Sequence, residues 1–223
     1  MASESSAARI AAQLRAEILH GDVAPGAKLA QVGLAERFGV SRIPVRDALA
    51  LLAGEGLVQP LSNATAIVTR MSIEELQELY DLRLSIEPKT TAIAVPHVGR
   101  AEIIYMRKQL AIMSEPTDAR TWLAANTEFH AAVYRRSNRP RTIELIEHLR
   151  RLTDRYVYLH LEVIGQTGHI GSEHAEILAA VERGDAATTA RLIGDHLVKA
   201  HDHILDYLVD HPSVLDPHAV LSP

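Results

Sequence analysis

Apolar residues recur along most of this chain with the spacing of helices, and the exceptions fall near its N-terminal third. From Ser6 to His20, the positions Ile10, Leu14, Ile18 and Leu19 fall on one helical face, and Gly21 stops the run. Gly21-Asp22 and Pro25-Gly26 predict a loop, followed by only a short apolar pair at Lys28-Leu29. Leu34, Ala35 and Phe38 predict a short second helix broken by Gly39. Ser41 is placed to cap a third helix ending around Gly54 to Gly56, with Pro44 in the first turn, where a missing N–H costs nothing. Leu57 to Gln59 and Ala66 to Thr69 predict two short strands, joined by Pro60 to Thr65. Three helices followed by a two-stranded wing describe a winged helix-turn-helix.

Beyond residue 70 the pattern is helical almost to the end. Ser72 and Glu75 form a capping box for a long helix carrying Leu76, Leu79, Tyr80, Leu82, Arg83 and Ile86. Pro88 should kink this helix, and Pro96 with Gly99 should end it. Further helices are expected over 100–114, 119–137, 140–162, 172–183 and 186–210, with Asp185 as the cap of the last. The fold class is therefore mainly α. A winged helix-turn-helix domain over 1–70 precedes an antiparallel all-helical bundle of about six helices over 71–223.

Composition narrows the classes. Hydrophobic residues make up 47% of the 223 residues and aromatics 4%, which suits a helical core better than a sandwich. With no cysteine there is no disulfide framework, no thiolate metal site and no cysteine nucleophile. No apolar run is long enough for a bilayer, and Met1 to Ser6 lacks the apolar stretch of a signal peptide, so a cytoplasmic protein with no membrane partner is expected. The net charge of −5 is uneven: residues 1–70 hold 7 Lys and Arg against 6 Asp and Glu, and the rest hold 16 against 22. A near-neutral reader on an acidic body permits DNA binding where arginines cluster at the phosphates.

The third helix carries such a cluster. Val45, Ala48, Leu49 and Leu52 share the face that must pack against the first two helices. Arg42 and Arg46 are i,i+4 neighbours beside that face, with Ile43 and Ala50 in the same outward sector. A major groove admits one helix, arginine suits the guanine edge, and small apolar groups suit the thymine methyl. Ser41 at the helix start is placed for a phosphate. Exposed arginines more often merely solubilise a helix; their position at the start of the second helix of a tight helix-turn-helix, with a wing following, favours DNA.

The run Leu34-Ala35-Glu36-Arg37-Phe38-Gly39-Val40-Ser41-Arg42-Ile43-Pro44-Val45-Arg46-Asp47-Ala48-Leu49, with Gly54-Glu55-Gly56-Leu57-Val58 behind it, resembles the reader motif of the GntR family of transcriptional regulators. The resemblance implies that Ser41, Arg42 and Arg46 contact DNA. At the wing tip, where the family usually has Gly after a basic or polar residue, this chain reads Ser62-Asn63-Ala64-Thr65; Asn63 tolerates a left-handed turn and is the candidate for contact there. Asp47 replaces the commoner Glu, on the side expected to turn away from the DNA.

Three of the 12 histidines stand apart. Asn126 and His130 share a helical face at i,i+4, His174 opens the next-to-last helix, and His196 lies on the last. Facing helices can aim such side chains at one interior point, where imidazoles bind zinc, nickel or a similar divalent ion. By spacing alone, three hydrogen-bonded core histidines are the slightly better reading. Residues 72–210 are similar to the helical (FCD-like) effector domain of the FadR-type branch, many of whose members hold a metal with an Asp-x-x-x-His pair and two later histidines. The resemblance implies a metal on His130, His174 and His196, with Asn126 in the aspartate position, where a neutral amide is a weaker ligand than a carboxylate. It also implies that Arg83 approaches an effector carboxylate, which a guanidinium suits; an ion pair between Arg83 and Glu87 one turn on is the alternative. For Arg155 and Tyr156, surface solvation is the expectation.

The expected function is a ligand-responsive regulator and not an enzyme. A homodimer would bind double-stranded operator DNA as a repressor, released by a small carboxylate effector at the metal site. The alternatives are a helical metalloenzyme using the three histidines, and a metal-free bundle that only dimerises. Against the enzyme, no His-Glu-x-x-His pair, glycine-rich phosphate loop or nucleophile elbow is present.

Overall fold

The computed structural model describes residues 5–19, 22–54, 57–164 and 168–210. His20, Glu55, Gly56 and the end of the second expected domain, 211–223, lie outside them. Two compact units divide the chain, one ending at Ser72 and the other running Ile73–Asp210.

In the first unit, α1 (Ser6–Leu19) buries Ile10, Ala11 and Leu14. The helix α2 (Gln31–Phe38) stops at Gly39, whose φ of 64° is a left-handed conformation that a Cβ would strain, and its N–H returns to Glu36 O. The helix α3 (Arg42–Gly54) turns Val45, Ala48, Leu49 and Leu52 inward onto α1 and α2. One apolar stripe on each helix thus closes a single small core with Leu57, Ala66 and Val68.

The sheet departs from the expected two-stranded wing. Strands β2 (Val58–Ser62) and β3 (Thr65–Val68) pair antiparallel, and a third strand, β1 (Lys28–Ala30), pairs with the other edge of β3, giving the order β1-β3-β2. Three residues carry too short an alternation to read as a strand. Pairing with β3, Leu29 opposite Ala66, makes β1, and that partner is far along the chain. Pro60 also lies inside β2 instead of in the connection. It is tolerated there because β2 is an edge strand.

The second unit is helical: α4 (Ile73–Ala94), α5 (Arg100–Ser114), α6 (Ala119–Tyr134), α7 (Pro140–Ile164), α8 (Gly168–Glu182) and α9 (Ala186–Asp210). The helix α4 continues through Pro88, and a 3-10 turn, Val95–His97, follows it. The last expected turn of the third helix is instead the 3-10 segment Arg135–Ser137, closed by Asn138 at φ 53°. Asp118 caps α6 by accepting from Thr121 N at 2.9 Å, and Asp185 caps α9 by accepting from Thr188 N at 3.0 Å. The helix α4 packs along α9 and α7, α5 along α6 and α8, and α8 along α9, so α6, α8 and α9 face a common interior. Among the described residues no helix is long and apolar enough to cross a membrane.

Candidate DNA reader and histidine site

The third helix presents an exposed face that mixes arginines with apolar residues. Ser41, Arg42, Ile43, Arg46 and Ala50 are all exposed, Ile43 at 63%. An isoleucine so open to water at the start of a helix, flanked by two arginines, offers the mixed chemistry that base edges and thymine methyls require. Asp47 was expected to turn away from this face. Its carboxylate instead accepts from Arg46 Nε at 3.2 Å and Nη2 at 3.0 Å, because a short side chain next in sequence reaches back to a long one.

At the wing, Asn63 and Ala64 form the turn between β2 and β3. Asn63 is not left-handed: among the described non-glycine residues only Asn138 has positive φ. The register slips between Pro60 and Ser62, and Ala64 N–H donates to Ser62 Oγ at 3.4 Å, so the chain reverses without a left-handed residue. Gln31 holds the turn from α2, donating through its backbone N to Ala64 O at 2.9 Å and through Nε2 to Asn63 O at 3.2 Å.

The second unit brings His130 of α6, His174 of α8 and His196 of α9 together, one ring nitrogen of each lying within 4.8 Å of the others. The ring centroids are 5.3 Å apart for His130 and His174, 5.3 Å for His130 and His196, and 4.7 Å for His174 and His196. His130 is 2% exposed, and neither of its ring nitrogens has a hydrogen-bond partner. Three hydrogen-bonded core histidines therefore do not describe this cluster. Burial, the charge of Arg150 and the neighbouring imidazoles hold His130 well below the usual histidine range, which leaves it neutral with a free lone pair.

Two neighbours orient the other rings. Asn126, buried one turn before His130, places Oδ1 at 2.9 Å from His174 Nε2. Glu173 Oε2 stands 2.8 Å from His196 Nδ1, and its other oxygen accepts from Lys199 Nζ at 2.8 Å. Partial burial raises the Glu173 carboxyl, but the bonds from His196 and Lys199 outweigh that and bring it to about 2. A carboxylate on Nδ1 leaves Nε2 of His196 as the nitrogen free to ligate.

A cavity beside the cluster is lined by Tyr80, Arg83, Trp122, Arg150, Asp154 and His196. Arg83 is buried and paired with Glu87, Nε to Oε1 at 2.6 Å, and donates from Nη1 to Thr153 Oγ1 at 3.1 Å. Glu87 accepts from Tyr134 Oη at 2.6 Å and has Arg150 Nη1 at 3.7 Å. Burial would raise its carboxyl, yet the charges of Arg83 and Arg150 prevail and lower it. Arg155 and Tyr156 are not solvated as expected: they are 4% and 1% exposed, and both donate to Glu75. Their partner lies 80 and 81 residues away, beyond any local pattern. Sequence reading missed Arg150, Asp154 and Glu173; the last was signalled only by standing next to His174.

Two family matches cover most of the chain: the FCD domain over residues 78–199 and the bacterial regulatory proteins of the gntR family over residues 6–68. The HTH-type transcriptional repressor RspR of Escherichia coli (strain K12) is 24% identical over 194 residues, covering 86% of this chain and 85% of its own. The gluconate operon transcriptional repressor of Bacillus licheniformis is 27% identical over 164 residues, covering 70% of this chain and 65% of its own. Among solved structures, E. coli McbR/YncC superposes with a TM-score of 0.78 at 22% identity, covering 92% of this chain and 99% of its own. A transcriptional regulator GntR from Rhodococcus sp. RHA1 gives 0.75 at 25% identity, covering 91% and 99%.

Proposed function

The chain belongs to the GntR family as a DNA-binding transcriptional regulator with an FCD domain, and on that premise we propose that it is a repressor whose hold on DNA is set by a metal and a small organic acid in its helical unit. As a homodimer it would present two copies of α3 to successive major grooves of a pseudo-palindromic operator in the cytoplasm. Arg42 and Arg46 would meet base edges, Ser41 a phosphate, and Asn63 at the wing the adjoining backbone. A divalent ion, zinc or nickel, would be held by His130, His174 and His196, with Asn126 beside them. The ion would supply a Lewis-acid site for a carboxylate oxygen. Linkage then requires that a ligand favouring the DNA-incompetent arrangement lower operator affinity, and that DNA lower ligand affinity equally.

The observation that carries the metal is His130. Leaving a donor and an acceptor of a buried imidazole unpaired costs roughly 1–3 kcal/mol for each group. An ion shared with His174 and His196 would use the lone pair left open there. The relatives are regulators rather than enzymes, so the site is read as a sensor. The test is a zinc titration of chelator-treated full-length protein. One equivalent per chain, lost in His130→Ala, supports the reading; no uptake by the parent overturns it.

A further inference from the structure

Arg83 and Arg150 line the same cavity, yet their situations differ. The fork of Arg83 is engaged by Glu87 and Thr153. Arg150 is equally buried, at 5% exposure, but its Nε has no partner. Among the described residues, its one carboxylate within 4.0 Å is Glu87, at 3.7 Å from Nη1, beyond hydrogen-bond reach. Glu87 is thus the one near carboxylate shared between two buried guanidiniums, and Tyr134 occupies its second oxygen. Asp154 lines the cavity too, but it forms no ion pair with Arg150. A further donor lines the same cavity: Tyr80 Oη is buried and makes no close hydrogen bond, although the Arg83 guanidinium lies over its ring, 4.9 Å from the centroid.

A buried cation without a close counter-charge is costly, and so are buried N–H and O–H groups without acceptors. One planar anion in the cavity would answer both. We infer that Arg150, with Tyr80 Oη, is the group that receives the effector's carboxylate, and that Arg83 instead holds Glu87 and ties α4 to α7. The inference rests on the proposed carboxylate effector and gives that effector its anchor. The ligand class is a small carboxylic acid, its two oxygens shared between the Arg150 fork and the phenol.

Sodium acetate, matched against sodium chloride, is the probe, read by thermal melts and calorimetric titration of the zinc-loaded full-length protein. Acetate should raise the melting temperature of the parent with dose. Arg150→Gln should weaken apparent acetate affinity at least tenfold, and Tyr80→Phe severalfold, while both still take up one zinc. Without acetate, Arg150→Gln should melt at or above the parent, because a surplus buried cation has gone. Arg83→Gln should melt lower, because Glu87 loses its close partner. If Arg150→Gln does not fold, Arg150→Lys makes the acetate-affinity comparison, keeping the charge and losing the fork. Parent-like acetate affinity in the Arg150 and Tyr80 variants overturns the inference alone. So does an acetate-free melting loss in Arg150→Gln as large as that in Arg83→Gln. No acetate response in the parent overturns the carboxylate reading itself, and the inference with it.

Discussion

The amide oxygen of Asn126 stands 2.9 Å from Nε2 of His174, so an asparagine occupies the edge of the histidine cluster and already contacts one of its rings. A neutral amide gives a divalent ion less than a carboxylate does. Asn126→Asp should therefore tighten zinc binding, and Asn126→Ala should cost far less affinity than His174→Ala. Competitive zinc titrations of the three variants decide it. Equal losses for Asn126→Ala and His174→Ala would make the asparagine a full ligand.

Arg46 reaches from the exposed face of α3 but is clasped by Asp47. Both side chains are largely in water, so the pair contributes little to the fold. Arg46→Ala should reduce specific DNA affinity by roughly 1–3 kcal/mol if it meets a base edge, without lowering the melting temperature. Asp47→Ala should strengthen DNA binding modestly by freeing the guanidinium and removing a negative charge near phosphates. Titrations at fixed salt on a duplex selected from random DNA give both numbers. Unchanged affinity in Arg46→Ala would remove that residue from the reader.

Glu87 is the hub of the buried polar cluster, with Arg83, Arg150 and Tyr134 around it. Glu87→Gln keeps the shape and removes the only negative charge among those partners. Breaking a buried pair by losing one partner costs about 3–5 kcal/mol, and urea unfolding should show a loss of that order. A loss under about 1 kcal/mol would mean that the cluster is solvated in solution.

Asp154 gives a pH signature. Burial, outweighing the pull of Arg150, Arg83 and Arg151, raises its carboxyl from 3.8 to about 6. The folded state then holds this proton more tightly than the unfolded chain does, so stability falls as pH rises from 3.8 to about 6 and stays lowered above it. At 1.36 kcal/mol per pH unit the full effect is at most about 3 kcal/mol. Asp154→Asn should be the more stable protein at pH 7.5, and the two curves should converge near pH 4. Parallel curves across that range would contradict the assignment.

Much of this arrangement was legible in the sequence because it is local. Gly39 and the stripe Val45, Ala48, Leu49 and Leu52 fix the reader helix, and Asp185 sets the start of α9 one residue later. The histidines were legible because Asn126 and His130 share a face and the later two lie on separate helices. The misses were non-local. Strand β1 exists through β3, more than thirty residues on, and Arg155 and Tyr156 are buried by Glu75, on another helix. No local motif marks Arg150; the packing of α7 against α4 and α6 buries it.

The central claim is that the histidine site in the helical unit sets how tightly the reader holds DNA. Its most direct measurement is the dissociation constant for the selected duplex, at one salt concentration, for chelator-treated and zinc-loaded full-length protein, with His174→Ala in parallel. The account predicts that zinc changes the constant for the parent by about fivefold or more, the scale of ordinary coupling between sites, and leaves His174→Ala unmoved. The same constant for the parent with and without zinc, where zinc is shown to be bound, would contradict it.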